Sequence, residues 1–178
     1  TLRHKGNTSS LKDFVNGSTF HRVLHNLLSD DEKRKIDRVV LCSGKIYFEL
    51  QDHINELSLN NIHIIRLEQL YPFPYEALEE EIADFKNCEM IWCQEEPRNM
   101  GAWQFIEERI QSVLEKVTGK IDIHFVGRRA AASPATGVFD RHLANQKNII
   151  RLATEANVEE IKKEKSGVSL VKYKLPIE

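Results

Sequence analysis

The stretch Trp92-Cys93-Gln94-Glu95-Glu96-Pro97-Arg98-Asn99-Met100-Gly101-Ala102-Trp103 lies at the centre of the architecture that this sequence predicts. It begins within a short, apolar, β-favouring run at residues 89–93, which predicts a buried strand. Pro97 has no N–H and disfavours helix in the residue before it, so we expect Glu96 to leave the strand register. Gly101 permits a tight turn. A helical pattern begins at Trp103, and the stretch therefore predicts a strand, a turn and a helix.

The same alternation of strand and helix extends outward along the chain. Apolar runs predict buried strands, and residues 19–24 predict an edge strand; the buried runs are 38–42, 62–67 and 121–126. Helical spacing of apolar residues predicts helices at about 45–57, 76–85, 103–117 and 138–153. Four such repeats predict an α/β fold of three layers. Its five-stranded sheet would be mostly parallel, with helices on both faces.

The length of 178 residues indicates one domain with terminal extensions. We divide the chain into an entry segment with the edge strand at 1–37, an α/β domain at 38–153 and a charged tail at 154–178. Within the tail, residues 168–173 could pair as a further edge strand. The first residue is Thr rather than Met, so we expect the chain to be a fragment of a longer protein.

Composition argues against several classes of partner. The net charge of -2 gives no bulk basicity for nucleic acid. We therefore do not expect nucleic acid as a partner. No apolar run approaches the roughly 18 residues of a membrane span, so we do not expect a membrane as a partner either. The seven histidines show no metal-ligand spacing with thiolates or carboxylates, which predicts no metal site. Cys42, Cys88 and Cys93 form no Cys-x-x-Cys pair and are interpreted as buried thiols in a reducing compartment.

Several polar residues are expected at the carboxyl ends of the strands, where ligands bind in open α/β sheets. Glu95 and Glu96 could act in acid–base chemistry or polarise a partner group, or could form structural salt bridges. Adjacent strand residues point to opposite faces, so we do not expect them to share a proton. The turn at residues 42–45 is either an anion site at a helix N-terminus or an ordinary tight turn. His142 and Gln146 share one helix face and are interpreted as surface or interface residues.

The loop at residues 127–137 combines two arginines with small residues. Arg128 and Arg129 could bind carboxylate or phosphate as guanidinium forks. Ser133 could cap a helical turn with Pro134 at its first position, leaving N–H groups for an anion. The loop therefore predicts an anion site for an effector such as an acyl-CoA or a nucleotide. The alternatives are a structural loop and arginines that pair with carboxylates across a domain interface.

These stretches together resemble the C-terminal domain of the first, decarboxylating component of the 2-oxoglutarate dehydrogenase complex. The resemblance spans residues 2 to about 153 and does not include the tail. The stretches that carry it are Leu2-Arg3-His4, Ser9-Ser10-Leu11, Cys42-Ser43-Gly44-Lys45, Arg66-Leu67-Glu68-Gln69-Leu70-Tyr71-Pro72-Phe73-Pro74, Trp92-Cys93-Gln94-Glu95-Glu96-Pro97 with Asn99, Gly101-Ala102-Trp103, Gly127-Arg128 and Ala132-Ser133-Pro134-Ala135.

The resemblance implies a transketolase C-terminal-like fold within a larger dimeric enzyme. That enzyme would use thiamine diphosphate and magnesium to decarboxylate 2-oxoglutarate. It would then succinylate a lipoyl group on the succinyltransferase component, in the citric acid cycle. The cofactor would lie between two other domains, so we expect this chain to bind no cofactor, to carry no catalytic residue and to be inactive alone. The implied compartment is the bacterial cytoplasm or the mitochondrial matrix.

The expected role of this chain is to support the domain and dimer architecture of that enzyme, and to regulate it. Glu95, Tyr71, Phe73 and His142 are predicted to contact another domain or the dimer mate, because carboxylates, aromatic rings and prolines on a stiff loop make a preorganised surface. The alternative is an independent α/β module that binds a nucleotide or an acyl-CoA.

Overall fold

One sheet of five strands organises the part of the chain that the computed structural model describes, residues 4–163. The strands are β1 (Val23–His25), β2 (Arg38–Cys42), β3 (Ile62–Leu67), β4 (Glu89–Pro97) and β5 (His124–Arg128). They lie in the order β1-β3-β2-β4-β5. β1 is antiparallel to β3 and all other pairs are parallel. The predicted mixed, mostly parallel sheet is confirmed.

Helices connect the strands at the places that the apolar spacing predicts. They are α1 (Asp30–Lys33), α2 (Ile46–Leu57), α3 (Tyr75–Ile82), α4 (Trp103–Thr118), α5 (Phe139–Thr154) and α6 (Val158–Lys163), with 3₁₀ turns at Leu11–Phe14 and Ala83–Phe85. The short α1 is not among the predicted helices. Ser29 and Glu32 form a reciprocal capping box there, which satisfies two N–H groups of its first turn. None of the helices within residues 4–163 combines the length and apolarity needed to cross a membrane.

Two apolar clusters lie on opposite faces of the sheet, as three layers require. Alternate strand residues such as Leu41 and Trp92 face α3 and α4. Their neighbours, Cys42 and Cys93, face α2, α5 and α6. The spacing of apolar residues predicts an inward face of α4 made of Trp103, Ile106, Ile110, Val113 and Val117. The first four are buried, and Val117 is partly buried against the same cluster. The side-chain alternation along each central strand therefore divides the core into two halves.

Three strands, β1, β4 and β5, differ in extent from the sequence expectation, and β4 runs to Pro97 instead of ending at residue 93. β1 begins at Val23 rather than at residue 19 because its partner β3 ends at Leu67, which pairs with Val23. β5 is displaced to His124–Arg128 because β4 continues to Pro97, and Pro97 pairs with Arg128. Glu96 therefore stays within β4. The pairing nevertheless becomes irregular between Cys93 and Pro97, since a proline cannot donate to the ladder.

The chain continues on the sheet after Thr154 as α6, which the sequence did not indicate. Ile161 of α6 is buried in the cluster shared with α2 and α5. Arg38 is buried at the start of β2 and donates to the carbonyl oxygens of Ala153 (3.3 Å) and Ala156 (2.5 Å). It also pairs with Glu89 at 2.7 Å, so one guanidinium joins two strands to the end of α5. The strand suggested at 168–173 lies outside the described residues.

Candidate functional site

The turn between β4 and α4 is organised by the side-chain amide of Gln94, which is 3% exposed. Its Oε1 accepts from Trp92 Nε1 (2.9 Å) and from the Trp103 main-chain N–H (3.1 Å). Its Nε2 donates to the carbonyl oxygens of Pro97 (3.1 Å) and Met100 (2.8 Å). The sequence did not indicate this role for Gln94. The signal that could have found it is a glutamine directly after a run of buried strand residues, since a buried amide must find partners.

Gly101 lets the backbone approach this side-chain amide closely, and Gly127 lets β5 approach the main chain of Gln94. Gly101 has φ +68°, and a Cβ at this position would lie 3.0 Å from Gln94 Nε2 and from Glu96 Cβ. A Cβ on Gly127 would lie 2.6 Å from Phe125 Cζ and 3.0 Å from the Gln94 carbonyl oxygen. The predicted tight turn at Gly101 is confirmed. Gly127 belongs to β5 rather than to the loop that was predicted to begin there.

Glu95 and Glu96 have separate environments. Glu95 lies 2.9 Å from Lys45 Nζ and accepts from Gln146 Nε2 over 3.0 Å, whereas Glu96 is exposed. Gln146 Nε2 also donates to Glu49 over 2.8 Å. Burial lowers the pKa of Lys45, but its contacts with Glu49 and Glu95 outweigh this effect and the net pKa is raised. Of the two interpretations for Glu95, the salt bridge agrees with these contacts.

Arg128 is a buried cation at the end of β5, with 9% of its surface exposed. Its Nη2 lies 3.0 Å from His142 Nδ1 and 3.5 Å from Gln146 Oε1. Arginine is always protonated and cannot accept, so His142 Nδ1 is assigned as the acceptor. Arg128 Nε is buried without a hydrogen-bond partner among the described residues. β5 and α5 thus bring together Arg128, His142 and Gln146. The sequence indicated each of them as a candidate site residue but did not predict that they are in contact.

A pocket of about 330 Å³ lies beside Arg128, between the end of β5 and the start of α5. Arg128, Arg129, Arg141 and Asn145 line it, together with small residues from 130 to 137. The side-chain amide of Asn99 holds one wall: its Nδ2 donates to the Ala131 carbonyl and its Oδ1 accepts from the Ala131 N–H, each over 3.0 Å. The carboxyl edge of the sheet therefore carries a walled, cation-lined cavity.

The predicted helix cap at Ser133 is wrong. Helix α5 begins at Phe139, and Pro134 lies in the irregular loop before it. Ser133 Oγ instead donates to the carbonyl oxygen of Ala135 over 2.8 Å. This local hydrogen bond stabilises the conformation of the loop. Ser133 still lines the pocket. The N-cap of α5 is Val138, which has no side chain that can cap the helix.

The residues predicted to contact another domain are not equally accessible. Tyr71 is 80% exposed and lies edge-on to Phe105, with ring centroids 6.3 Å apart. Phe73 is 8% exposed and packs in the cluster under α3 and α4. Glu95 and His142 are engaged within the chain by the contacts described above. Their roles at an interface stay predictions.

The three thiols are free and covered to different degrees. Cys42 and Cys93 are buried side by side on β2 and β4, and burial raises the pKa of Cys42 to about 12 and that of Cys93 well above its ordinary value. Cys88 is half-buried, and burial raises its pKa to about 11. Within residues 4–163, no group of three potential metal ligands comes together.

Comparison with known proteins places this arrangement in a family. The sequence profile of the family described as "2-oxoglutarate dehydrogenase C-terminal" matches residues 8–154. Relatives named "2-oxoglutarate dehydrogenase E1 component" from Brucella anthropi and Brucella ovis are each 45% identical over 152 residues, and one from Brucella abortus is 43% identical. These matches cover 80% of this chain and 15% of each relative. The chain thus spans a small part of the relatives' length and belongs to the 2-oxoglutarate dehydrogenase C-terminal family.

Proposed function

We propose that this chain acts as the C-terminal, non-catalytic domain of a 2-oxoglutarate dehydrogenase E1 component. The observation that carries the proposal is the match of residues 8–154 to the C-terminal family, together with relatives of that name. The parent enzyme would use thiamine diphosphate and magnesium to decarboxylate 2-oxoglutarate. It would then transfer the succinyl group to a lipoyl group on the succinyltransferase component.

The residues at the carboxyl edge do not fit a magnesium diphosphate. Lys45, Glu49 and Glu95 are occupied with one another, and no cluster of three metal ligands occurs within residues 4–163. A magnesium ion prefers several oxygen ligands in near-octahedral geometry. We therefore assign the cofactor to other domains of the parent and no chemical step to this one.

The role that we propose for this domain is to present a contact surface to the rest of the parent and to its dimer mate. Large apolar side chains are exposed on segments that follow strand ends, among them Tyr71 after β3 and Phe139 after β5. In the entry segment, Phe14 and Phe20 are exposed as well. Apolar side chains left in water favour burial against another protein surface. The bacterial relatives support a bacterial cytoplasmic setting, with the mitochondrial matrix as the alternative.

Activity measurements with the isolated chain and with the parent enzyme test this proposal. We expect the purified chain to unfold cooperatively and to show no thiamine diphosphate-dependent decarboxylation of 2-oxoglutarate. We expect the parent to lose activity or dimerisation when this domain is removed. Turnover by the isolated chain, or a truncated parent that keeps its full activity and its dimer, would contradict the proposal.

A second candidate function is that of an independent α/β module which binds a nucleotide or an acyl-CoA. The cation-lined pocket beside Arg128 favours it. An in-frame coding region upstream of this chain would decide for the enzyme domain, and its absence would decide for the independent module.

A further inference from the structure

We propose that His25, His63 and Glu81 form a latch that holds β1 and the segment before it against α3, and that releases them on acidification. The latch lies at the edge of the sheet opposite to β5 and the pocket beside Arg128. The inference goes beyond the proposed function and holds for either candidate function, because it depends only on contacts among the described residues.

The two histidines are neighbours on the face of the sheet that α3 covers. His25 pairs with Ile65 in the β1–β3 ladder, and His63 lies two residues before Ile65 on β3. Residues two apart in a strand point to the same face, so the histidines are diagonal neighbours. Their ring centroids are 6.1 Å apart. A positive charge on one ring therefore repels a positive charge on the other.

Few contacts hold β1 to the rest of the domain. The strand has three half-buried residues, each paired with one residue of β3. His25 Nδ1 contacts the carboxylate of Glu81 on α3, and the two side chains are 28% and 25% exposed. An ionised carboxylate only accepts, so this ring nitrogen carries the hydrogen. After β1, Lys33 of α1 pairs with Asp84 over 2.6 Å. These two contacts join the edge of the sheet to α3 and to the 3₁₀ turn that follows α3.

His63 lies beneath this edge, with 4% of its surface exposed. Its ring stacks on Phe85 with the centroids 4.9 Å apart. A cavity of about 90 Å³ adjoins it, and the residues that line this cavity come from two sides. One side is the chain at 25–28 with Lys33, and the other is the end of α3 with the 3₁₀ turn. Departure of β1 and α1 therefore opens the ring of His63 to water.

The surroundings of His63 favour its neutral form while the latch is closed. Burial, followed by the positive charges of His25 and Lys33, lowers its pKa from 6.5 to about 4. Two nearby carboxylates are engaged with other groups, Glu81 with His25 and Asp84 with Lys33. The groups that face His63 are, besides the apolar Val39 on β2, the titratable His25, Lys33, Glu80, Glu81 and Asp84.

Acid shifts the equilibrium toward the released form. In that form His63 is exposed, so its pKa returns to about 6.5. Below pH 6.5 the released form takes up a proton that the closed form takes up only near pH 4. Each pH unit in this range therefore favours release by up to about ten-fold. Release also frees the segment before β1, which carries the exposed side chains of Phe14 and Phe20.

Hydrogen exchange of the full chain, followed by NMR from pH 7 to pH 5, tests the proposal. The reporters are the N–H groups of Glu68 and Gln69, which donate to the Arg22 carbonyl over 2.9 and 3.1 Å and lose this acceptor when β1 leaves. Protection factors, corrected for the intrinsic pH dependence of exchange, measure the opening equilibrium. We expect them to fall about ten-fold or more, while the fluorescence of the buried Trp92 and Trp103 stays native.

Substitutions identify the groups of the latch. His63→Phe cannot titrate and keeps an aromatic ring against Phe85, so we expect protection in this variant to be independent of pH. His63→Gln, which also does not titrate, replaces it if His63→Phe does not fold. Glu81→Gln removes the charge that holds His25, and we expect at least three-fold lower protection at pH 7. The matched controls are His21→Gln and Glu76→Gln at exposed positions, which should keep the wild-type profile.

Four outcomes would overturn the proposal. One is protection of Glu68 and Gln69 that stays constant between pH 7 and pH 5. Another is an undiminished pH dependence in the His63 variants. A third is wild-type protection of Glu81→Gln at pH 7. The last is loss of native tryptophan fluorescence in step with protection, which would mean acid unfolding of the whole domain instead of release of one edge.

Discussion

The main-chain N–H of Trp103 donates to the side-chain Oε1 of Gln94 over 3.1 Å, which ties the first residue of α4 to the strand that precedes it. The same oxygen accepts from Trp92 Nε1 over 2.9 Å. One buried amide thereby sets the direction of the chain between β4 and α4. The stretch from Trp92 to Trp103 therefore has a structural role, which is to shape the turn between β4 and α4.

Gln94→Leu should destabilise the protein strongly. The substitution leaves Trp92 Nε1 and the Trp103 N–H buried without an acceptor, and each such group costs about 1–3 kcal/mol. We expect the free energy of unfolding, measured by urea denaturation, to fall by the sum of two such penalties. The control Gln104→Leu changes an exposed residue of α4 and should stay within about 0.5 kcal/mol of wild type. Equal stability of the two variants would show that the amide is dispensable.

Ile110→Ala should lower the free energy of unfolding by about 2–5 kcal/mol, because it removes buried methyl groups and leaves a cavity. Ile110 is fully buried between α4 and the sheet. Thermal unfolding measures the effect, with Glu108→Ala on the exposed face of the same helix as the control. A melting temperature that Ile110→Ala leaves unchanged would contradict the observed packing.

Gly127→Ala should cost about 1–3 kcal/mol through overpacking. The new methyl group would lie 2.6 Å from Phe125 Cζ and 3.0 Å from the Gln94 carbonyl oxygen. Gly137→Ala is the matched control, because its methyl group would meet no atom within 4 Å. It should be neutral or slightly stabilising by chemical denaturation. If both variants unfold at the same urea concentration, β4 and β5 do not approach as closely as described.

His63 should make stability depend on pH between about 4 and 6.5. Burial, with smaller effects of His25 and Lys33, lowers its pKa from 6.5 to about 4 in the folded state. Above pH 6.5 both states leave this imidazole neutral. As pH falls toward 4, only the unfolded state takes up the proton, so folding is weakened by at most about 1.4 kcal/mol per pH unit.

The variant His63→Phe should flatten this part of the pH profile, since phenylalanine does not titrate and can keep the stacking contact with Phe85. His21→Gln, at an exposed position, is the control and should retain the wild-type profile. Urea denaturation at several pH values measures the slope. An unchanged slope in His63→Phe would assign the pH dependence to other groups.

Cys42 and Cys93 should resist thiol reagents in the native protein. Both are fully buried, and their raised pKa values leave almost no thiolate at neutral pH. The half-buried Cys88 should react before them but slowly, because its pKa is raised to about 11. Ellman's reagent should titrate all three thiols only in denaturant. Rapid labelling of Cys42 or Cys93 under native conditions would show that the cluster on that face opens.

Sequence alone was sufficient for the features that depend on local periodicity. The spacing of Trp103, Ile106, Ile110, Val113 and Val117 predicted the inward face of α4, because 3.6 residues per turn place these side chains on one side. Val117, in the last turn, is only partly buried. Continuous apolar runs predicted the central strands of a sheet covered on both faces. The boundaries predicted for β1 and β5 were wrong, since the reach of a strand depends on where its partner ends.

Tertiary structure decided which polar groups meet. The contacts of Arg128 with His142 and Gln146 arise because α5 returns across the end of β5, and no local pattern encodes that path. The donation by Ser133 to Ala135, in place of a helix cap, follows from the late start of α5 at Phe139. Gln94 directly follows the predicted strand, but its partners at Pro97, Met100 and Trp103 come within reach only once the turn is closed. The burial of apolar side chains can be predicted because their spacing repeats within a single helix or strand. A hydrogen bond between two elements forms only when the fold brings its donor and acceptor to the right distance and angle.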